Sequence, residues 1–147
     1  MRPQTPDWFA GIGCRAFCPA EEIAALIRRV AILVGHSPSC LAIPAGKAEE
    51  AGPREAAARL GLELVLISPE ALRAAQPGCV TRSARAEAAT GFASVAEGCA
   101  LAAAGAGARL VLPRIASAAA TCAIATGRPE APPLAFQTAQ QSRQRAP

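Results

Sequence analysis

The chain has few of the side chains that carry most enzyme chemistry. Its 147 residues include one histidine, His36, one aspartate, Asp7, and no tyrosine, and aromatic residues make up only 3%. Because Asp7 falls in an amino-terminal stretch that we expect to be a loose end, a Ser-His-Asp triad cannot be assembled. Any acid–base chemistry would have to come from Glu, Cys, Lys or Arg.

Long apolar runs are also missing. No run approaches the ~20 residues that a membrane-spanning helix needs, and residues 1–7 lack the apolar core of a signal peptide. These absences predict a cytoplasmic protein with no membrane partner.

Six cysteines are present, but none forms a C-x-x-C pair. In the cytosol they would be reduced thiols that fill small spaces in a core. A zinc set of Cys14, Cys18, His36 and Cys40 is the competing interpretation, although structural zinc sites use tighter spacings. We predict no metal and no cofactor.

The net charge of +4 is small. From residue 127 onward, Arg128, Arg143 and Arg145 against Glu130 leave +2, so only +2 remains for the rest of the chain. This charge is too small and too scattered for a nucleic-acid groove, so no nucleic-acid partner is predicted. It suits a pocket for an anionic small molecule.

The hydrophobic pattern predicts one α/β domain at 8–126, with a flexible segment at 1–7 and a disordered tail at 127–147. The stretch 76–93 shows no period and is predicted to be a long connection. We expect three layers, α/β/α, around a sheet of about five mostly parallel strands. The last strand is expected to be antiparallel, because the link before it is too short for a crossover. Predicted strands are 8–13, 41–45, 62–67, 109–113 and 119–125, and predicted helices are 19–34, 48–60, 69–75 and 94–104.

Two turns are predicted at the carboxyl ends of neighbouring strands. Gly11 and Gly13 break the first strand and lead to Arg15, and Gly46-Lys47 follows the second strand. In open α/β sheets the ligand crevice lies at this edge. We therefore predict a site for a negatively charged small molecule there.

Two further sequence patterns each allow more than one interpretation. Ser94 and Glu97 match a capping box, and a capped helix N-terminus at the crevice can also hold an anion. The stretch 11–16 matches the dinucleotide pattern G-x-G-x-x-A, but the next helix starts late and no acidic residue closes the second strand. A nucleotide-dependent oxidoreductase of the NADP type, or a small binding module, is the alternative function.

Five stretches in the same order resemble the CobE and CbiG C-terminal domain family of cobalamin biosynthesis, over about residues 8–126. The chain is similar to the stand-alone CobE form, since no other CbiG domain accompanies it. The matching stretches are Gly11-Ile12-Gly13-Cys14-Arg15 with Ala20-Glu21-Glu22-Ile23, Lys47-Ala48-Glu49-Glu50, Leu60-Gly61-Leu62, Gly91 with Ser94-Val95-Ala96-Glu97, and Thr121-Cys122-Ala123-Ile124-Ala125.

The resemblance implies a role in building the corrin ring on a precorrin-type tetrapyrrole. One hypothesis is a ring-A lactone hydrolase, with Glu50 or Glu97 as base and Lys47 or Arg15 polarising the carbonyl. The other is a carrier that passes a labile precorrin to a methyltransferase of the same pathway, which the scarcity of His and Asp favours. The expected substrate-binding residues are Gly11, Gly13, Cys14, Arg15, Lys47, Ser83, Ser94 and Thr121, with Arg85 or Arg114 as further cations.

Overall fold

The computed structural model describes residues 7–127. Apart from Asp7 and Gly127, the predicted flexible end at 1–7 and tail at 127–147 lie outside this range. Among the described residues, no helix has both the length and the apolarity needed to cross a bilayer.

Five strands form one sheet in the order β3-β2-β1-β5-β4. The pairs β1–β2 and β2–β3 are parallel, whereas β5 is antiparallel to both of its neighbours. Four strands therefore run in one direction and only β5 is reversed, which confirms the predicted α/β sheet with an antiparallel last strand. The strands are β1 Trp8–Cys14, β2 Cys40–Pro44, β3 Glu63–Ile67, β4 Arg109–Ala116 and β5 Ala120–Thr126.

Helices cover both faces of this sheet. They are α1 Ala20–Val34, α2 Ala51–Leu60, α3 Pro69–Ala75, α4 Ala84–Thr90 and α5 Val95–Ala104. The core between α1, α2 and the sheet is built from large aliphatic residues such as Ile12, Ile23 and Leu41. A smaller cluster with Leu72 and Cys99 fills the opposite face, under α3 and α5. The predicted three layers are therefore present.

The expectation of a long connection at 76–93 was wrong, because α4 lies inside it. No residue of Ala84–Thr90 is buried, so its sequence carries no hydrophobic period. Its signals are local instead: the Ser83 hydroxyl accepts the N–H of Ala86 at 3.1 Å, and Gly91 ends the helix with φ 86°.

The predicted strand 8–13 is confirmed as β1, but the interpretation of Gly11 and Gly13 as a turn was wrong, because both glycines lie within that strand. A Cβ on Gly11 would overlap the carbonyl oxygen of Ala96 and lie 2.5 Å from the backbone nitrogen of Ala100. The missing side chain thus lets α5 pack directly on β1. A dinucleotide fingerprint needs its helix to start in the glycine turn, whereas α1 begins at Ala20.

Candidate functional site

A cavity of about 930 Å³ opens at the carboxyl edge of the four co-directional strands. Its walls come from the end of β1, the loop after β2, the end of β4, the β4–β5 turn and α4. This is the edge at which open α/β sheets bind ligands. The lining residues include Gly13, Cys14, Arg15, Lys47, Leu72, Ser83, Arg85, Phe92, Val95, Arg114, Ser117 and Thr121.

The charges on this lining are all positive. Lys47 is the only lysine of the chain. Among the described residues, no carboxylate lines the cavity. Glu21 forms salt bridges with Arg28 and Arg59, and none of these three residues lines the cavity. A concave surface whose charged lining residues are all positive attracts and concentrates anions. The four cations are Arg15, Lys47, Arg85 and Arg114.

Apolar side chains fill the space between these cations. Leu72, Phe92 and Val95 line the cavity together with several alanines. Phe92 is held by the guanidinium of Arg73, which lies 5.6 Å from its ring centroid. The cavity therefore suits a ligand with an apolar body and anionic groups at its edge.

Most of the predicted binding residues meet in this cavity, but Gly11 and Ser94 do not line it. Gly11 lies beneath α5. Ser94 is only 2% exposed, and the side chain of Gln76 binds its backbone, accepting its N–H at 3.2 Å and donating to its carbonyl at 3.0 Å. The predicted residues brought together are Gly13, Cys14, Arg15, Lys47, Ser83 and Thr121.

The predicted capping box at Ser94 and Glu97 was wrong. The Ser94 hydroxyl caps no helix amide and instead donates to Glu97 Oε1 at 3.2 Å. The same oxygen accepts the N–H groups of Val80 at 2.8 Å and Thr81 at 2.9 Å, and Oε2 accepts that of Arg114 at 3.0 Å. In a capping box the Glu97 carboxylate would accept the backbone N–H of Ser94. Here it accepts backbone N–H groups from two other segments of the chain instead.

Glu97 is fully buried and does not line the cavity, so it is not placed to act as a base on a ligand there. Burial raises the pKa of its carboxyl, but the hydrogen bonds donated by Thr81, Arg114 and Val80 outweigh burial, and the pKa is lowered overall. Glu97 is therefore an ionised acceptor that holds backbone.

Glu50, the other candidate base, also faces elsewhere. Its Oε1 accepts the N–H of Phe17 at 3.1 Å, and Phe17 has a left-handed backbone with φ 64°. The residue lines a separate concavity of about 430 Å³ together with Glu49 and Glu55. The contact indicates that Glu50 supports a strained turn after β1.

Cys14 is a potential nucleophile on the cavity lining. Burial raises the pKa of its thiol, and the nearby Lys47 offsets this only in part. Cys14 is therefore protonated at neutral pH, and a protonated thiol is a poor nucleophile.

His36, the histidine of the possible zinc set, packs against an aromatic ring. His36 stacks on Trp8 with ring centroids 4.7 Å apart. Within residues 7–127, no group of three or more His, Cys, Asp or Glu side chains is placed to hold a metal ion. The zinc interpretation is therefore dropped.

Glu22 is a third supporting carboxylate, which the sequence did not reveal beyond its place in the A-E-E-I motif. Its Oε2 accepts the hydroxyl of Ser117 at 2.5 Å and the N–H of Ala119 at 2.6 Å. The N–H of Arg15 in turn donates to the carbonyl of Ala119 at 2.9 Å. Glu22 on α1 thus fixes the β4–β5 turn that forms one wall of the cavity.

The supporting carboxylates should make the fold sensitive to acid. The Ser117 hydroxyl and the Ala119 amide lower the pKa of Glu22, so both Glu22 and Glu97 titrate below the ordinary 4.5. Their contribution to stability is then complete above that value and is lost as pH falls through the lowered folded pKa values. Urea unfolding between about pH 7 and pH 3 should show this loss.

The variant Glu22→Gln cannot change its protonation, so it should lose less stability than the wild type over the same pH range. Glu70→Gln, at an exposed position, should follow the wild-type curve. Parallel curves for Glu22→Gln and the wild type would contradict the assignment.

Comparisons with known proteins converge on one family. The family model described as "Cobalamin synthesis G C-terminus" matches residues 8–125. Protein CobE of Sinorhizobium sp is 36% identical over 118 residues, which are 78% of this chain and 77% of the relative.

Two crystal structures share the fold. CobE, described as a protein from the cobalamin (vitamin B12) biosynthetic pathway, superposes with a TM-score of 0.80 and 34% identity, over 89% of this chain and 98% of the other. The cobalamin biosynthesis protein ChiG from Agrobacterium tumefaciens str. C58 gives a TM-score of 0.67 and 40% identity, over 82% and 98%. The match to the family model, at residues 8–125, includes all the residues that line the cavity.

Proposed function

The chain belongs to the CobE and CbiG C-terminal family of cobalamin biosynthesis proteins, and on that premise we propose that its cavity binds a precorrin-type tetrapyrrole. The protein holds this labile intermediate and hands it to another enzyme of the pathway, with a precorrin methyltransferase as the receiving partner.

The four cations on the cavity lining, which carries no carboxylate among the described residues, are the observation that carries this proposal. Precorrins carry acetate and propionate carboxylates around a wide apolar macrocycle. Arg and Lys side chains bind such carboxylates through charge-assisted hydrogen bonds. The apolar residues Leu72, Phe92 and Val95 between the cations would contact the macrocycle itself.

The chemistry of the lining favours holding over hydrolysis. A lactone hydrolase needs a base or an activated nucleophile within hydrogen-bond reach of the ligand. Among the described residues, the cavity lining offers neither a carboxylate nor an imidazole, and the Cys14 thiol is protonated. Glu50 and Glu97 are engaged by backbone amides outside the cavity. We therefore assign the cavity the carrier role.

The ligand class can be tested with two related corrins. Cobyrinic acid carries free carboxylates around the ring, whereas its amidated counterpart cobinamide carries uncharged side chains. Calorimetric titration should show binding of cobyrinic acid that weakens with added salt, and binding of cobinamide that is weaker by roughly 10-fold or more. Equal affinities, or binding of neither corrin, would overturn the proposal.

Carrier and enzyme are separated by what happens to the natural ligand. The protein is incubated with a precorrin intermediate, and the visible spectrum is followed while the ligand is in excess. A carrier shifts the spectrum of one equivalent and releases unchanged ligand on denaturation. Conversion of the excess ligand would show turnover and refute the carrier role.

A further inference from the structure

We propose that Glu97 is a positioning residue that fixes two walls of the cavity at once, so that Arg114 and the Ser83–Arg85 segment contact one ligand together. This inference rests on the proposed tetrapyrrole binding and adds a specific residue to it.

The geometry places a single carboxylate between two segments that are distant in sequence. Glu97 Oε1 accepts the N–H groups of Val80 and Thr81, and Oε2 accepts the N–H of Arg114. Glu97 itself is on α5 and is fully buried. Because Glu97 accepts backbone N–H groups from both segments, it fixes where each segment runs and leaves the side chains of Arg85 and Arg114 free to reach the ligand.

The first wall depends on this anchor more than a packed helix would. Thr81 leads directly into Ser83 and Arg85, and α4 beyond them buries no residue. The two ends of this segment are joined by a backbone hydrogen bond, which the N–H of Ser83 donates to the carbonyl of Ala93 at 2.8 Å. With no core contact of its own, the direction of this wall is set by the two ends that hold it.

The second wall depends on Glu97 because β4 is irregular at that point. The pairing of β4 with β5 shifts register between Leu112 and Ile115. Arg114 lies within this shift, and its N–H bonds to Glu97. Irregularities of this kind re-aim side chains next to binding sites. The Glu97 carboxylate therefore stabilises the irregular part of β4 from which Arg114 lines the cavity.

A neutral amide cannot hold both walls. In Glu97→Gln the side chain keeps one acceptor oxygen, which would stay with the hydroxyl and the two amides on the Oε1 side. The amide nitrogen would then face the N–H of Arg114, two donors against each other. This variant should therefore release the Arg114 wall and leave the other wall in place.

The test measures cobyrinic acid binding by calorimetry in a set of variants. Glu97→Gln should lose affinity by about the same factor as Arg114→Ala, roughly 10-fold. Adding Arg114→Ala to Glu97→Gln should change little further, whereas adding Arg85→Ala should cost its full single-variant factor. Glu70→Gln, which removes the same charge from an exposed position, should bind like the wild type.

Three outcomes are decisive. If Glu97→Gln binds like Glu70→Gln, or if its loss multiplies fully with that of Arg114→Ala, Glu97 does not position Arg114. If the wild type fails to bind cobyrinic acid, the proposed function is refuted and this inference falls with it.

A second measurement keeps Glu97 intact in case Glu97→Gln does not fold. In Arg114→Ala, ligand held by Arg85 should still slow hydrogen exchange at the amides of Val80, Thr81 and position 114 together, because one carboxylate accepts all of them. Protection confined to Val80 and Thr81 would show that the walls are independent and would overturn the inference.

Discussion

Replacing Gly11 by alanine is expected to lower the free energy of unfolding by about 3 kcal/mol, the upper part of the usual range for overpacking a core. The new methyl group would overlap the carbonyl oxygen of Ala96 and lie 2.5 Å from the nitrogen of Ala100. Both atoms are helix backbone, so no flexible side chain can give way. Helix α5 would have to move off β1 and carry Val95 and Glu97 with it.

Urea unfolding of Gly11→Ala and of a matched variant checks this expectation. Gly46→Ala adds the same methyl group where nothing lies within 4 Å and the backbone is not left-handed. That control should leave stability unchanged or raise it by roughly 0.5 kcal/mol, since alanine restricts the unfolded chain. A loss below about 1 kcal/mol in Gly11→Ala would mean that α5 tolerates a wider spacing from β1 than its packing indicates.

Replacing Lys47 by alanine is expected to weaken cobyrinic acid binding by about 1–3 kcal/mol, which is roughly 5- to 150-fold. Lys47 lines the cavity just after β2, and Arg15 lines it just after the neighbouring strand β1. Lys47 is half-buried, so its ammonium would meet a ligand carboxylate in a partly desolvated place. Calorimetry measures the loss. Arg29→Ala removes one positive charge from an exposed position of α1 outside the cavity and should leave affinity within about twofold of wild type.

The single lysine allows an independent check in the unmodified protein. An amine-acylating reagent can react only with Lys47 and the amino terminus. Bound cobyrinic acid should slow acylation of Lys47 and leave that of the amino terminus unchanged. Equal rates with and without ligand, or an unchanged affinity in Lys47→Ala, would remove Lys47 from the binding site.

The sequence predicted the sheet well because strand positions follow from local hydrophobic runs and turn residues. Once the strands are taken as parallel, the residues that follow them must share an edge. Arg15 and Lys47 were therefore placed on one rim from spacing alone, and the structure brings both to the same cavity.

What the sequence could not supply are partners chosen by tertiary structure. The spacing of Ser94 and Glu97 fits a capping box, yet Glu97 bonds to the amides of Val80, Thr81 and Arg114. A local motif describes which bonds are available to a side chain, while the fold decides which of them form. Glu22 is a similar case, since its bonds reach Ser117 and Ala119 across the molecule.

Helix α4 was missed for a different reason, because it has no buried face and so its sequence shows no hydrophobic period. Because Ala84–Thr90 contributes nothing to the core, exchanging its residues leaves the free energy of folding almost untouched while altering one side of the cavity. Substitutions in this segment can therefore change ligand preference without lowering the stability of the fold. If the cavity binds a tetrapyrrole as proposed, replacing residues of this one short helix would change which macrocycle side chains the cavity accepts and would leave the rest of the fold as it is.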